Sequence, residues 1–444
     1  MGQLLIIAYP PPPLTDHSKI EAAHYRAWQF ILPILDAGHK VHLCTPPSNF
    51  RSTVDGSIPG DWRENLTWST IPFHTLNWVS KLQRIHDSLN PDCIIAINFD
   101  CCLYATKLKT QKPIWMDIYG DYLTIMQSSC NSVGSNRGMN TSINHMKEVL
   151  KKGDIFSVCS GPQSHALVGE LAMAGRLIRQ TFGYEFTRVI LPGSPPVSLD
   201  SDQTDVFDPV SLEFRPDDFQ VLWCGGYNTW TDIDTLFRGL EWAMQQEPRV
   251  QFISLGASTY NSTENNYQKF LDLIKTSPHN QRYHMLGWQS WDELGKYYRL
   301  SKVGLNIDAL HYETRLGTRT RLVEMIAAGL PVISSVGTEL SCLLHQNGAA
   351  LTFEIGDWRT LGEEIISLVN NPEKRDEMKN RAIDSALNQF SFSHTTTPLL
   401  EWISDPHRAP DKVGIEPGEK LKNIEFAGRA MLRRIMWGIA GLEK

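Results

Sequence analysis

The sequence lacks several features that would point to particular classes of protein. No apolar run reaches the roughly 18 residues that a transmembrane helix needs, and no basic N-terminal segment precedes a cleavable apolar core. None of the eight cysteines lies in a CxxC pair, and Cys101–Cys102 is the only close couple. These absences predict a chain without a membrane span or signal peptide, with buried, reduced thiols as in a cytosolic protein.

Excess positive charge is also missing. The chain has 42 Lys and Arg against 49 Asp and Glu, a net charge of −7, and the charges form no long runs. Because nucleic acids require a concentrated basic surface, the composition gives no support for a nucleic-acid partner. Hydrophobic residues make up 41% and charged residues 20% of the chain, as in ordinary soluble proteins. We expect a cytoplasmic protein, with peripheral contact at the inner face of the plasma membrane as an open alternative.

Length and hydrophobic patterning predict two domains. The 444 residues exceed one ordinary core but suit two domains of about 200 residues each. The first half alternates helical patterns with short apolar runs, which are typical of parallel strands buried on both faces. The predicted strands of this half are 4–8, 41–44, 66–71, 93–97, 114–118, 155–159 and 189–191, and the first predicted helix is 20–37.

A second alternating series follows a change in composition. Residues 192–218 are rich in Pro, Asp and Ser without periodicity, which favours a linker. Beyond it, strands are predicted at 221–224, 251–255, 283–286, 303–307 and 331–334, and helices at 232–246, 267–275, 291–300, 318–328, 338–345, 358–369 and 372–390. The predicted division is 1–195 for the first domain, 196–218 for the linker, 219–405 for the second domain and 406–444 for a tail.

The tail has an amphipathic stretch at residues 421–442. It carries Arg429, Arg433 and Arg434 on an otherwise mostly apolar segment. Two positions are compatible with this pattern, namely packing on the first domain or lying on a membrane surface. Two parallel sheets in tandem also predict a ligand cleft between the carboxyl ends of their strands.

One segment of the second half resembles a known family. Residues 313–333, ETRLGTRTRLVEMIAAGLPVI, are similar to the donor-site segment of glycosyltransferase family 4, and the Arg-Thr-Arg form is similar to a bacterial branch that often makes surface polysaccharides. Residues 221–232, 284–294 and 157–163 resemble further segments of that branch. The resemblance spans roughly residues 1–412, strongly in the second half and loosely in the first.

The resemblance implies a fold and an activity. We expect an α/β protein of the GT-B type, with two Rossmann-like domains around a cleft. The implied activity is transfer of a sugar, with retention of anomeric configuration, from a nucleotide-diphosphate donor to a glycan, lipid-linked or small-molecule acceptor. The implied process is synthesis of a cell-surface polysaccharide or glycolipid. The nucleotide sugar is a substrate, so no cofactor is expected.

The sequence departs from the family pattern at three points. Leu316 stands eight residues before Glu324, where many members carry a first glutamate. The usual Arg and Lys after the first strand of the donor domain are absent from residues 225–235, and residues 117–121 lack the expected histidine. These departures keep two alternatives open, a non-catalytic subunit that binds a nucleotide sugar and a sugar-nucleotide epimerase.

Candidate donor-binding residues follow strands or begin helices of the second half. Gly225 and Gly226 would let backbone N–H groups approach a phosphate, or would only allow a tight strand–helix turn. Glu324 would accept both ribose hydroxyls, or would pair with Arg321 on the helix surface. Trp288 would frame the base by stacking, as would Trp291, or both would be core or surface residues.

Candidate catalytic residues are carboxylates. Asp117 and Asp121 would orient the sugar or the acceptor hydroxyl, while the alternative for Asp121 is capping of the following helix. Glu313 would position the sugar or the leaving phosphate, or would be a solvated loop residue. His24 and Tyr25 are weaker candidates in the first helix. Residues 232–234 have the spacing of a DxD motif but open a helix, where Asp acts as a cap, so we expect no metal.

Basic residues near residue 319 suggest a phosphate site. Arg319 and Arg321 begin a predicted helix, whose N-terminus repels cations unless an anion is bound. Thr318 can cap this helix or donate to a phosphate. The two arginines point about 200° apart, so one is expected to face the donor diphosphate and the other to orient Glu324. The sequence favours Arg319 for the phosphate, and the alternative is that the arginines point to solvent or pair with Glu313 and Glu324.

Overall fold

The first sheet contains seven parallel strands. The computed structural model describes residues 2–14, 20–47, 64–196, 214–258 and 263–413. The strand order is β3-β2-β1-β4-β5-β6-β7. Successive strands are therefore added towards one edge of the sheet up to β3 and towards the other edge from β4 onwards. The strands are β1 (Gln3–Ile7), β2 (Lys40–Thr45), β3 (Leu66–Thr70), β4 (Cys93–Ile97), β5 (Ile114–Ile118), β6 (Ile155–Val158) and β7 (Thr187–Val189).

Helices cover both faces of this sheet. Apolar side chains of β1, β4 and β5 alternate between two buried clusters, one on each side, which is why these strands have nearly continuous apolar sequences. The helices are α1 (Ala22–Asp36), α2 (Trp78–Leu89), α3 (Phe99–Ala105), α4 (Tyr122–Val133), α5 (Met139–Lys152) and α6 (Gly161–Met173).

The second sheet has six parallel strands in the order β10-β9-β8-β11-β12-β13. The strands are β8 (Phe219–Cys224), β9 (Val250–Leu255), β10 (Tyr283–Met285), β11 (Val303–Asn306), β12 (Val332–Ser335) and β13 (Ala350–Phe353). The helices are α7 (Ile233–Gln246), α8 (Glu264–Thr276), α9 (Trp291–Leu300), α10 (Tyr312–Leu316), α11 (Thr320–Ala327), α12 (Glu339–Gln346), α13 (Trp358–Asn370) and α14 (Pro372–Asn388). Two Rossmann-like domains in tandem confirm the predicted α/β fold class.

The predicted helix at 318–328 corresponds to α11, which begins two residues later than predicted, at Thr320. The separate short helix α10 ends before it, at Leu316, and Arg319 stands at the N-cap of α11 with extended φ and ψ of −131° and 100°. The break coincides with Gly317, where an added Cβ would lie 2.6 Å from Glu313 Oε1. Helical periodicity alone does not reveal a break that lies against a buried side chain four residues away.

The chain returns to the first domain after α14. Helices α15 (Phe392–Thr395) and α16 (Thr397–Ser404) follow, and Leu399, Trp402 and Ile403 are buried in the cluster beneath β1, β4 and β5. Trp402 packs against Trp115, with ring centroids 5.5 Å apart. Although α16 lies within the predicted second domain of 219–405, its buried side chains pack in the core of the first domain.

Residues after α16 also belong to the first domain. Ala409 is fully buried there, Asp411 pairs with Arg176, and Lys412 pairs with Asp154 at 3.1 Å. The predicted amphipathic stretch at 421–442 and most of the predicted linker lie outside the described residues. No helix in the described part of the chain is long and apolar enough to cross a bilayer.

We predict that Trp402→Ala destabilises the first domain selectively. Removal of a buried Trp side chain leaves a cavity and lowers the free energy of unfolding by about 3–5 kcal/mol. Hydrogen-exchange mass spectrometry should show faster exchange in β1 and β4 and unchanged exchange in β8 and β9. Leu368→Ala, a buried position of α13 in the second domain, is the matched control. Faster exchange of β8 in Trp402→Ala would place α16 energetically with the second domain.

Candidate functional site

A cleft of about 310 Å³ lies between the two domains. The carboxyl ends of the parallel strands meet there, which is where ligands of such sheets bind. The first domain contributes the start of α1 and the loop after β5. The second domain contributes the loops after β8 and β10, the turn between α10 and α11, and the first turns of α11.

Hydrogen bonds join the domains around this cleft. Ser160 Oγ donates to the Leu316 carbonyl at 2.6 Å, and the Gly161 N–H donates to Glu339 Oε2 at 2.6 Å, so a carboxylate of the second domain accepts from the N-terminus of α6. Tyr119 and Thr320 share a hydrogen bond of 2.7 Å between their hydroxyls. The two domains are therefore in direct contact, and one of these contacts, between Tyr119 and Thr320, lines the cleft.

The glycine loop after β8 packs against the end of β9. Gly225 has a φ of 105°, which side chains rarely adopt, and its N–H donates to the Leu255 carbonyl at 2.9 Å. A Cβ on Gly256 would lie 2.1 Å from the Gly225 carbonyl oxygen, so a third glycine is needed for close packing. Both Gly225 and Gly226 also line the cleft. The turn is therefore tightly packed against β9 and is also accessible to a ligand.

Arg319 is held by two buried carboxylates. Its Nε donates to Asp308 at 2.7 Å, and Nη1 and Nη2 donate to the two oxygens of Glu313 at 2.9 and 2.8 Å. All three residues are less than 5% exposed. These contacts hold the turn between α10 and α11, and they favour the predicted alternative of pairing for Arg319. Both Arg319 and Glu313 also line the cleft, so a role of Arg319 at the diphosphate and a catalytic role of Glu313 stay predictions.

Arg321 faces the cleft with unused hydrogen-bonding capacity. Nη2 donates to the Gly226 carbonyl at 2.9 Å, and the guanidinium lies 4.0 Å from the centre of the Trp223 ring. Its Nη1 is buried and has no partner among the described residues. Burial lowers the pKa of Arg321, because no carboxylate contacts it directly. An anion in the cleft would supply the missing counter-charge.

Thr318 lies beside Arg321 at the same end of α11. Its Oγ1 is also buried and lacks a partner in the described part of the chain. Buried donors without partners are rare in folded proteins, because each one costs about 1–3 kcal/mol. Two of them at one wall of a cleft indicate a polar ligand rather than a packing defect.

Glu324 lies one turn into α11 and lines the cleft. Tyr298 donates its hydroxyl hydrogen to Oε2 at 3.1 Å, and no ion pair joins Glu324 to Arg321 in the described ranges. Burial raises the pKa of Glu324 to about 7, although the bond from Tyr298 and the charge of Arg321 oppose the shift.

Asp117 does not line the cleft. It is fully buried, pairs with Arg26 at 2.8 Å, and accepts a hydrogen bond of 2.6 Å from Ser157. These contacts give Asp117 a structural role beneath α1, and its catalytic role stays a prediction.

Asp121 caps α4. Its Oδ1 accepts from the Thr124 N–H at 2.8 Å, the residue is 4% exposed, and it does not line the cleft. The structure thus favours the capping alternative over a catalytic role. Between 232 and 234, Asp232 likewise caps α7, and Asp234 pairs with Lys269. No group of His, Cys, Asp and Glu that could hold a metal occurs among the residues the structure describes.

The predicted aromatic residues separate into two places. Trp288 lines the cleft and donates to the Ser258 carbonyl at 3.3 Å. Trp291 instead joins a cluster between the domains, where its ring centroid lies 5.1 Å from that of Tyr25 and 6.0 Å from that of Trp28. Tyr25 also lines the cleft, whereas His24 packs edge-on against Tyr9.

Sequence reasoning missed several residues of the site. Arg26 and Asp308 form buried ion pairs, but a lone Arg inside a helix carries no local signal. Tyr298 contacts Glu324 from α9, which is 26 residues away along the chain. A signal was available only for Asp308, because polar residues after parallel strands tend to face the ligand edge of the sheet.

Comparisons with known proteins agree with this architecture. The sequence model of a family described as "Glycosyl transferase-like" matches residues 234–401. No curated protein sequence matches the chain significantly.

Solved structures similar to this one include three bacterial proteins. HepE of Anabaena, solved with UDP and glucose, has a TM-score of 0.65 and 14% identity, covering 91% of this chain and all of its own. Sucrose-phosphate synthase of Thermosynechococcus elongatus has a TM-score of 0.64 and 16% identity, covering 90% of this chain and 98% of its own. The α,α-trehalose 6-phosphate synthase of Burkholderia multivorans has a TM-score of 0.62 and 12% identity, covering 91% of this chain and 96% of its own. These similarities confirm the GT-B fold.

The pKa of Glu324 predicts how stability depends on pH. Its folded-state pKa of about 7 exceeds the ordinary value of 4.5, so the folded protein binds this proton more tightly than the unfolded chain does. The protonated group therefore adds to the free energy of unfolding in full below pH 4.5, and this contribution is lost as pH rises through 7. Glu324→Gln removes this loss. Denaturant titrations should show the variant gaining about 1–3 kcal/mol over the wild type between pH 5 and pH 8. A difference that stays constant across this range would contradict the account, and Glu373→Gln, on an exposed part of α14, is the control.

Proposed function

We propose that the protein transfers a sugar from a nucleotide-diphosphate donor to an acceptor in the inter-domain cleft. The observation that carries this proposal is the pair of buried, unpartnered donors, Arg321 Nη1 and Thr318 Oγ1, at the start of α11. Helix N-termini favour anions, and guanidinium groups match the paired oxygens of a diphosphate. The family match over residues 234–401 supports the same assignment, since it includes α11.

The diphosphate would lie between the glycine loop and α11. The Arg321 guanidinium spans these two elements, because its Nη2 bonds to the Gly226 carbonyl while Nη1 remains open. Thus Arg321 supplies, from α11, the charge that the family places after the first strand of this domain. Charge that develops on the departing diphosphate would be stabilised by a cation already held in place.

The nucleoside would extend from the diphosphate towards Glu324 and Trp288. Glu324 keeps one oxygen for ribose hydroxyls, since Tyr298 donates to the other. Charge-assisted hydrogen bonds of this kind contribute about 1.5–3 kcal/mol each. Trp288 borders the same cleft and offers an aromatic face for the base. HepE, a structural neighbour, has been solved with UDP-glucose, which supports a uridine nucleotide as the first donor to test.

The acceptor would enter from the first domain. The start of α1 and Tyr119 form that wall of the cleft, opposite Arg321. We infer retention of configuration from the resemblance to family 4, and a glycan, lipid-linked or small-molecule acceptor in the synthesis of a surface polysaccharide or glycolipid. Independence of a metal cofactor and peripheral contact with a membrane stay predictions.

The two alternatives differ from transfer in what they require. An epimerase needs a pair of carboxylates for acid and base chemistry, whereas Asp117, Asp121 and Glu313 are all occupied by structural partners. A non-catalytic subunit needs only the donor site. Donor binding without turnover on any acceptor would identify it, and conversion of free nucleotide sugar without acceptor would identify an epimerase.

We predict that Arg321→Ala folds normally and loses transfer activity. Removing a cation preorganised at the leaving group costs about 2–4 kcal/mol of transition-state stabilisation, a fall in kcat/KM of about 30-fold or more. Steady-state kinetics with UDP-glucose or another accepted donor measure this loss, and Arg321→Lys should recover part of it. Wild-type donor affinity and turnover in Arg321→Ala would show that the diphosphate is held elsewhere.

Arg319→Ala should fail in a different way. Its loss leaves Glu313 and Asp308 buried without their cation, which costs about 3–5 kcal/mol of folding free energy. We therefore expect a lower melting temperature and poor expression rather than a folded, inactive protein. A stable Arg319→Ala variant with impaired donor binding would restore the direct phosphate role that the sequence suggested.

A prediction about stereochemistry concerns the product. Retention requires the product anomer to match that of the donor, and NMR of freshly formed product distinguishes the two anomers by their coupling constants. We expect an α-linked product from UDP-α-glucose. A β-linked product would remove the family 4 assignment while leaving the donor site intact.

A further inference from the structure

A buried ion pair in the first domain supports Tyr119, a residue that lines the cleft. Arg26 is 1% exposed and Asp117 fully buried, and two hydrogen bonds of 2.8 and 3.1 Å join them. Arg26 Nη1 also donates to Gln29 Oε1 at 2.9 Å, so the plane of the guanidinium is set on two sides. Buried pairs of this kind are better at fixing geometry than at adding stability.

Tyr119 packs on this guanidinium. The central carbon of the Arg26 guanidinium lies 4.6 Å from the centre of the Tyr119 ring, within the range of a cation–π contact. Tyr119 follows β5 directly and lines the cleft. Its ring is therefore held from below by a rigid ion pair, and its hydroxyl is directed towards the second domain.

The Tyr119 hydroxyl contacts the first residue of α11. It shares a hydrogen bond of 2.7 Å with Thr320 Oγ1. Thr320 stands between Arg319, which two carboxylates hold in place, and Arg321, which faces the cleft. A shift of Thr320 relative to the first domain would therefore move Arg321 and Thr318 away from a ligand held between the domains.

We propose, building on the nucleotide-sugar transfer proposed above, that Tyr119 is a positioning residue for the transfer step. Its hydroxyl holds the first turn of α11 in the closed arrangement of the domains, so that Arg321 and Thr318 stay in contact with the departing diphosphate. The donor-binding residues all belong to the second domain. Tyr119 thus acts on the rate of transfer and leaves donor binding to the second domain unchanged.

The chain offers a matched control for a simple inter-domain contact. Ser128 Oγ donates to Thr229 Oγ1 at 2.7 Å, also between hydroxyls of the two domains, and neither residue lines the cleft. If Tyr119 only helped to hold the domains together, removal of either hydroxyl pair would have the same effect. A role in positioning α11 predicts that only the Tyr119 pair changes kcat.

The test is a double-mutant cycle of Tyr119→Phe and Thr320→Val, with Ser128→Ala as control. For each protein, calorimetry with UDP-glucose, or with whichever donor the wild type binds, gives the donor Kd, and steady-state kinetics give kcat. We expect each single variant to lower kcat about 10-fold, with donor Kd changed by less than about two-fold. The double variant should lose no more than either single one. Thr320→Ser, which keeps the hydroxyl, should recover most of the rate.

Other outcomes would overturn the inference. Wild-type kcat in both single variants would show that the bond has no role in transfer. Additive losses, or a loss in Tyr119→Phe alone with a raised donor Kd, would show that Tyr119 contacts the substrate itself. A loss in Ser128→Ala of the same size would show a general effect of domain contact. If the wild type binds no nucleotide sugar at all, the proposed function fails instead.

Discussion

The pairing of Arg319 with Asp308 and Glu313 is the interaction on which the site depends. Two carboxylates from different segments bind one guanidinium, all three groups are buried, and these contacts fix the turn between α10 and α11. The turn directs Thr318 and Arg321 into the cleft and leaves their donors without partners.

The rest of the fold places the first domain, beside which the acceptor is proposed to bind, against the donor-binding residues of the second domain. Parallel strands end at the cleft in both domains, and the chain crosses back after α14 so that α16 completes the core of the first domain. The last residues of the described chain therefore stabilise the domain that the N-terminus begins. Contacts at Ser160, Gly161 and Tyr119 then close the cleft from one side.

Much of the fold could be predicted from sequence, because parallel strands buried on both faces have continuous apolar sequences and helices have a separate periodicity. The site was harder to predict, because its roles depend on pairing across the fold. Arg319 and Arg321 are equivalent in sequence, and the positions of Asp308 and Glu313 in the fold decide which of them is paired. Asp117 follows the rule for a ligand-facing residue, but its place in β5 turns it towards Arg26. The return of α16 is equally invisible, since an apolar helix does not show which sheet it covers.

The most direct test of the central claim is a crystal structure of the protein with UDP or a UDP-sugar. We expect the diphosphate to lie at the start of α11, with its oxygens in hydrogen-bonding distance of Arg321 Nη1 and Thr318 Oγ1, while Arg319 keeps its bonds to Asp308 and Glu313. A nucleotide bound in the cleft with its diphosphate on Arg319, or bound away from α11 altogether, would contradict it.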